Sequence, residues 1–88
     1  MRIAKVTGTV TATAKDAALV GSSLLIVDYT DAKGKTLEPA HVAIDSVGAG
    51  VGQMVLVTSG SAARLPQGKA GQPIDAVIVA IVDQLSLS

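Results

Sequence analysis

Residues 74–82, IDAVIVAIV, carry apolar side chains on both faces of an extended strand. Successive side chains of a strand point to opposite faces. One face holds Ile74, Ala76, Ile78, Ala80 and Val82; the other holds Val77, Val79 and Ile81, between Asp75 and Asp83. Strands buried on both faces normally lie under helices in layered proteins, yet no stretch of this chain shows the apolar period of a helix long enough to serve. Leaving three branched side chains in water forgoes about 1.5–3 kcal/mol each. That total rivals the roughly 5–15 kcal/mol stability of a small domain, and the exposed strand would invite aggregation. The outer face is covered either by a loop of the same chain or by a neighbouring subunit, and the expectation is a subunit.

Length points the same way. The 88 residues read as one domain over 1–88, which buries only about 60–65% of the surface its unfolded chain exposes. Domains of this size lean on disulfides, metals or partner chains. There is no Cys, hence no disulfide and no thiolate metal site. The single histidine, His41, makes no zinc site without several carboxylates beside it. Partner chains remain.

Other segments read as strands. Residues 2–13 alternate, with Ala4, Val6, Val10 and Ala12 on one face and Lys5, Thr7, Thr9, Thr11 and Thr13 on the other. Gly8, in mid-strand, marks a bulge or a barrel corner. A loop over 15–21 leads to a second strand at 23–30. Asp31 and Gly34 supply turn chemistry over 31–35, and strands follow at 41–47 and 53–58, joined by the glycine-rich GAGVG at 48–52. Residues 59–65 form one short helical turn, and 66–73 (PQGKAGQP) an exposed loop. The fold expected is all-β: a small five-stranded OB-like antiparallel barrel. With Tyr29 the only aromatic residue, its core is built from Val, Ile, Leu and Ala, which suits a filled barrel better than a ligand cavity.

No segment carries the spacing of a catalytic or cofactor site. Gly48-Ala49-Gly50-Val51-Gly52 has G-x-G-x-G spacing followed by a strand, whereas a dinucleotide site needs G-x-G-x-x-G before a helix, and no GK[ST] follows. Its plain reading is a turn that needs positive φ or close approach to another chain. His41 lacks a nucleophile at any recognisable spacing, although Ser46, Ser59 and Ser61 are available. Asp28, Asp45, Asp75 and Asp83 are scattered, with nothing to pair them. Arg64 sits in a small-residue segment, where its guanidinium fits an interface contact. No enzyme activity and no cofactor are expected.

The main competitor is an OB-like module that binds nucleic acid or a small ligand. Such modules use stacked aromatics and a basic groove; this chain has one Tyr and balanced charge, 7 basic against 7 acidic residues. No nucleic acid and no membrane partner are expected. The opening MRIAKVTGTV has no signal-peptide pattern and no apolar run approaches 18 residues, so the expected location is the cytoplasm.

With these segments in place, the chain resembles the CcmL/EutN family of bacterial microcompartment vertex proteins. The resemblance spans nearly the whole length and rests on RIAKVTGTVTATAKDAALVGSSLLIVD, AIDSVGAGVGQMVLVTSGSAAR and IDAVIVAIVD. It implies a small OB-like barrel that assembles into homopentamers, sits at the five-fold corners of a shell between hexameric shell proteins, and encloses enzymes of a carboxysome or metabolosome. It also implies that Gly48, Ala49, Gly50, Gly52, Gly60, Ser61 and Arg64 lie at subunit contacts or near the ring centre, with Gln53 beside them. Val77, Val79 and Ile81 join them through the two-sided strand. Lys15 falls on the family's basic position after the first strand, and Asp75 and Asp83 on its closing-strand acids. Gln53 stands where the family usually has Glu, which removes a charge, and Ala62 where Ser is common.

Overall fold

The computed structural model of the chain describes residues 1–11, 23–59 and 76–85. Five strands form within them: β1 (Arg2–Val10), β2 (Ser23–Thr30), β3 (Thr36–Asp45), β4 (Met54–Ser59) and β5 (Ala76–Val82). They close into a barrel in the order β1-β2-β3-β5-β4, with β4 returning to β1. The expected all-β, OB-like barrel is therefore present. One pairing departs from a wholly antiparallel scheme: β3 and β5 run parallel through Ile44–Val77 and Asp45–Ile78. The last strand is thus a wedge between β3 and β4.

The interior is aliphatic. Val6, Val27, Val55, Val57 and Ile78 are fully or almost fully buried in one cluster. Small side chains at Ala4, Ala43 and Ala76 fill the gaps between them, and Tyr29, 5% exposed, is the one large ring in that core.

Bulged stretches in β1, β3 and β5 set which side chains face inward. Between Val6 and Gly8 the β1–β2 register slips by one residue, leaving Thr7 without an opposite number. The expected irregularity at Gly8 is there. Its consequence is that Val10, opposite Leu24, turns outward instead of continuing the inward row of Ala4 and Val6. β1 ends at Val10, and residues 12 and 13 lie outside the described part.

The second stretch lengthens β3. The strand begins at Thr36, five residues before the expected start at His41. Pro39 and Ala40 hide this half from pattern reading, because Pro donates no ladder bond and is found at edges and bulges. Val27 pairs with His41, Tyr29 with Glu38 and Thr30 with Thr36, so β3 carries one extra residue on each side of Glu38. Ala40 takes φ 61° there, and its N–H donates to Asp28 Oδ1 at 2.9 Å.

The third stretch changes the reading of the two-sided strand. Leu56 pairs with Ala80 and Val57 with Ile78, so Val79 is the extra residue of β5. Before it, Ala76 and Ile78 point into the barrel; after it, Ile81 packs against the same core. Ile81 was expected on the outer face with Val77 and Val79, and the extra residue is what turns it inward.

The turn after β2 follows its sequence chemistry. Asp31 Oδ1 accepts the N–H groups of Lys33 and Lys35, each at 2.9 Å, and Gly34 takes φ 89°. The helical turn expected at 59–65 begins on Ser59, which is the last residue of β4, and 60–65 lie outside the described residues. The loops expected at 15–21 and 66–73 lie there too.

Candidate functional site

The glycine loop between β3 and β4 is built by its own side chains. Asp45 Oδ1 accepts the N–H groups of Val47 and Gly48, each at 3.0 Å, which starts the turn. Gln53 Oε1 accepts the Gly50 N–H at 2.7 Å. In return the Gly50 carbonyl accepts the Gln53 N–H at 3.1 Å. Gly52 donates to the Val6 carbonyl at 2.8 Å and Val6 donates to the Gln53 carbonyl at 2.9 Å, which ties the loop to β1. Gly48 and Gly52 take φ 83° and 94°, the left-handed region that favours glycine.

This arrangement divides the loop. Ala49 packs against the barrel core, so it serves the chain's own interior. Val51 is 62% exposed and is the apolar group that the loop presents outward. Gly48, Gly50, Gly52 and Gln53 are exposed around it. The missing charge at Gln53 does not empty the position, because the amide oxygen accepts the loop's hydrogen bond.

The outer face of β5 is partly closed by the chain itself. Val77 is 0% exposed and forms a second small cluster with Ile44, flanked by Leu24 and Val79. This corrects the expectation that a neighbour covers Val77: that side chain is sealed within one subunit. Val79 leans on the same cluster and is half-buried. Gly60, Ser61 and Arg64 lie outside the described residues, as do Lys15, Ala62 and Asp75.

A polar cluster that pattern reading missed lies where β1 begins and β2 ends. The Arg2 guanidinium carbon sits 3.9 Å from the centroid of the Tyr29 ring, and Arg2 pairs with Glu38. The His41 ring lies 4.7 Å from Tyr29, inclined at 58°, with Nε2 3.9 Å from Glu38 Oε1. Register explains the gathering: Tyr29 faces Ala4 on one side and Glu38 on the other. His41 is therefore engaged with an aromatic ring and a carboxylate, while Ser46 Oγ is committed to the Ile78 carbonyl. Among the described residues no group of three or more His, Cys, Asp or Glu could hold a metal ion, and no helix is long and apolar enough to cross a membrane.

Comparison with known proteins gives one consistent answer. The family model described as ethanolamine utilisation protein EutN/carboxysome matches residues 1–83. The carboxysome shell vertex protein CcmL of Synechocystis sp. is 47% identical, over 100% of this chain and 88% of its own length. The microcompartment shell vertex protein PduN of Salmonella typhimurium is 45% identical, over 98% of this chain and 99% of its own. Among solved structures, the pentameric microcompartment shell protein GrpN of Rhodospirillum rubrum superposes with a TM-score of 0.89 at 39% identity, covering 100% of both chains.

Proposed function

The chain belongs to the EutN/CcmL family, and on that footing we propose that it is a structural shell protein whose copies form homopentamers capping the five-fold vertices of a bacterial microcompartment, a carboxysome or a metabolosome. The observation that carries this reading is the likeness of the whole chain, in sequence and in barrel geometry, to shell vertex proteins. A sheet of hexagonal tiles closes only around five-fold defects, so a pentamer supplies curvature where hexameric shell proteins supply area. Those hexameric proteins are its partners, the shell within the cytoplasm is its place, and its work is done by docking, not by catalysis or a cofactor. The physical reading is compatible with this: a small barrel without disulfides gains stability from neighbours.

The test is mass in solution. Five copies of 8.8 kDa give a ring of about 44 kDa, and a stable monomer at micromolar concentration would overturn the reading. Co-expression with a hexameric shell protein, followed by imaging, should then show closed shells that stay open at their corners when this chain is left out.

A further inference from the structure

β3 has a paired edge and an open one. Along the first it pairs with β2 from Thr36 to Asp45. Along the second, among the described residues, β5 pairs with it only at Ile44 and Asp45. From Thr36 to Val42 that second edge has no strand beside it among the described residues. Thr36–Ala40 and Val42 are exposed, and His41 is half-buried. Leu37 is 55% exposed and Val42 51%, so an apolar side chain stands near each end. An exposed edge of this kind is a template for pairing with another chain.

The middle of that edge is unfit for pairing. Pro39 has no N–H to donate. Ala40, with φ 61°, is the one non-glycine residue at positive φ among the described residues, a conformation that costs an L-residue energy. Its N–H is already taken by Asp28 Oδ1 at 2.9 Å. The extra residues on each side of Glu38 break the even spacing that a partner strand would need. Alanine has no polar side chain to favour the left-handed region, as Asn or Asp has, so the conformation is imposed by its surroundings. Asp28 of β2 holds the N–H, Arg2 of β1 pairs with Glu38, and the His41 ring lies 4.7 Å from that of Tyr29 on β2. The residues on either side of Pro39-Ala40 are thus tied to the barrel wall. Strain that the surroundings maintain points to a use.

We infer that the Pro39-Ala40 bulge is a guard, which denies the open edge of β3 to a second copy of this chain. Copies then meet through their side-chain surfaces, and growth of one sheet from molecule to molecule is blocked at the edge most open to it. The guard works for any number of copies in the assembly, so it does not rest on the pentamer proposed above.

The test restores the strand. A variant with Pro39→Val and Ala40 deleted sets a single residue opposite Asp28, between the Val27–His41 and Tyr29–Glu38 pairs, and returns an N–H to position 39. It should form species heavier than the wild-type assembly, whatever mass that has. Their share should rise with concentration, and they should bind thioflavin T while circular dichroism remains that of a folded barrel. A mass distribution equal to wild type overturns the guard. Val55→Ala cuts the buried core and leaves β3 alone, so it controls for loss of stability; an equal share of heavy, thioflavin-binding species in that variant also overturns it. If the deletion variant does not fold, Pro39→Val alone replaces it, read by amide hydrogen exchange over residues 36–43. The amides on the open edge should exchange severalfold more slowly as concentration rises in Pro39→Val and not in wild type. No such slowing in the variant overturns the guard. Open-edge amides already protected in wild type overturn it too, because a strand then occupies the edge.

Discussion

Gln53 and Gly50 hold each other: the Gln53 side-chain oxygen accepts the Gly50 N–H at 2.7 Å, and the Gly50 carbonyl accepts the Gln53 N–H at 3.1 Å. The side-chain half of this pair is removable. Gln53→Ala should lower stability by about 0.5–1.5 kcal/mol, the usual net worth of such a bond. Gln53→Glu should stay at or above wild type, because a carboxylate accepts the same N–H more strongly. Urea midpoints at one fixed protein concentration check both, since assembly makes stability concentration-dependent.

Gly52 and Gly50 share a loop and differ in backbone. Gly52 has φ 94° and open space where a β-carbon would go, while Gly50 lies outside the left-handed region and a β-carbon there would meet only Gln53 Oε1 at 3.7 Å. Gly52→Ala should cost about 1–2 kcal/mol through backbone strain alone, and Gly50→Ala should cost less. Equal thermal midpoints for the two would contradict the conformations seen here.

Ile81 reports which way the end of β5 faces. Packed against the core beyond the Val79 bulge but only partly buried, it should cost about 1–2 kcal/mol when cut to Ala, below the roughly 2–5 kcal/mol of a fully buried Ile. The loss should appear in the unfolding of the barrel itself, in conditions where subunits are already separated. An effect confined to assembly would place Ile81 outside.

Arg2 interacts in two ways that salt should separate. Its pairing with Glu38 is half-exposed and is worth at most about 1 kcal/mol, screened at high ionic strength. Its stacking on Tyr29 contributes about 0.5–1 kcal/mol and survives salt better. Glu38→Gln should therefore match wild type in 1 M salt, taken as roughly the regime where the Debye length falls to about 3 Å, whereas Arg2→Ala should remain destabilised. Denaturant unfolding at two salt concentrations is the measurement.

How much of this was legible in the sequence depended on contrast. Where apolar and polar residues alternate, as in Ala4-Lys5-Val6, the inner face of the strand could be read directly, and Gly8 marked its bulge. In residues 76–82 every side chain is apolar, so nothing in the pattern marks where a bulge exchanges the faces, and Ile81 was assigned to the wrong side. The first half of β3 was hidden by Pro39 and Ala40, which lack strand character and sit in a bulge. The Arg2–Tyr29–Glu38–His41 cluster had no local signal, because only the pairing of three strands brings residues 2, 29, 38 and 41 together. The outer face expected of the two-sided strand shrinks to Val79, because Val77 is sealed within the chain and Ile81 turns inward.

β5 lies between β3 and β4, and this placement bears on how the chain can be synthesised. Until residues 76–82 have left the ribosome, β3 and β4 have no strand between them, and the core cluster of Val57 and Ala43 lacks Ala76 and Ile78. Without β5 the other four strands can form only an open sheet whose edges are β3 and β4, and free sheet edges invite pairing with another chain. Insertion of β5 between β3 and β4 is therefore the step that closes the sheet into a barrel.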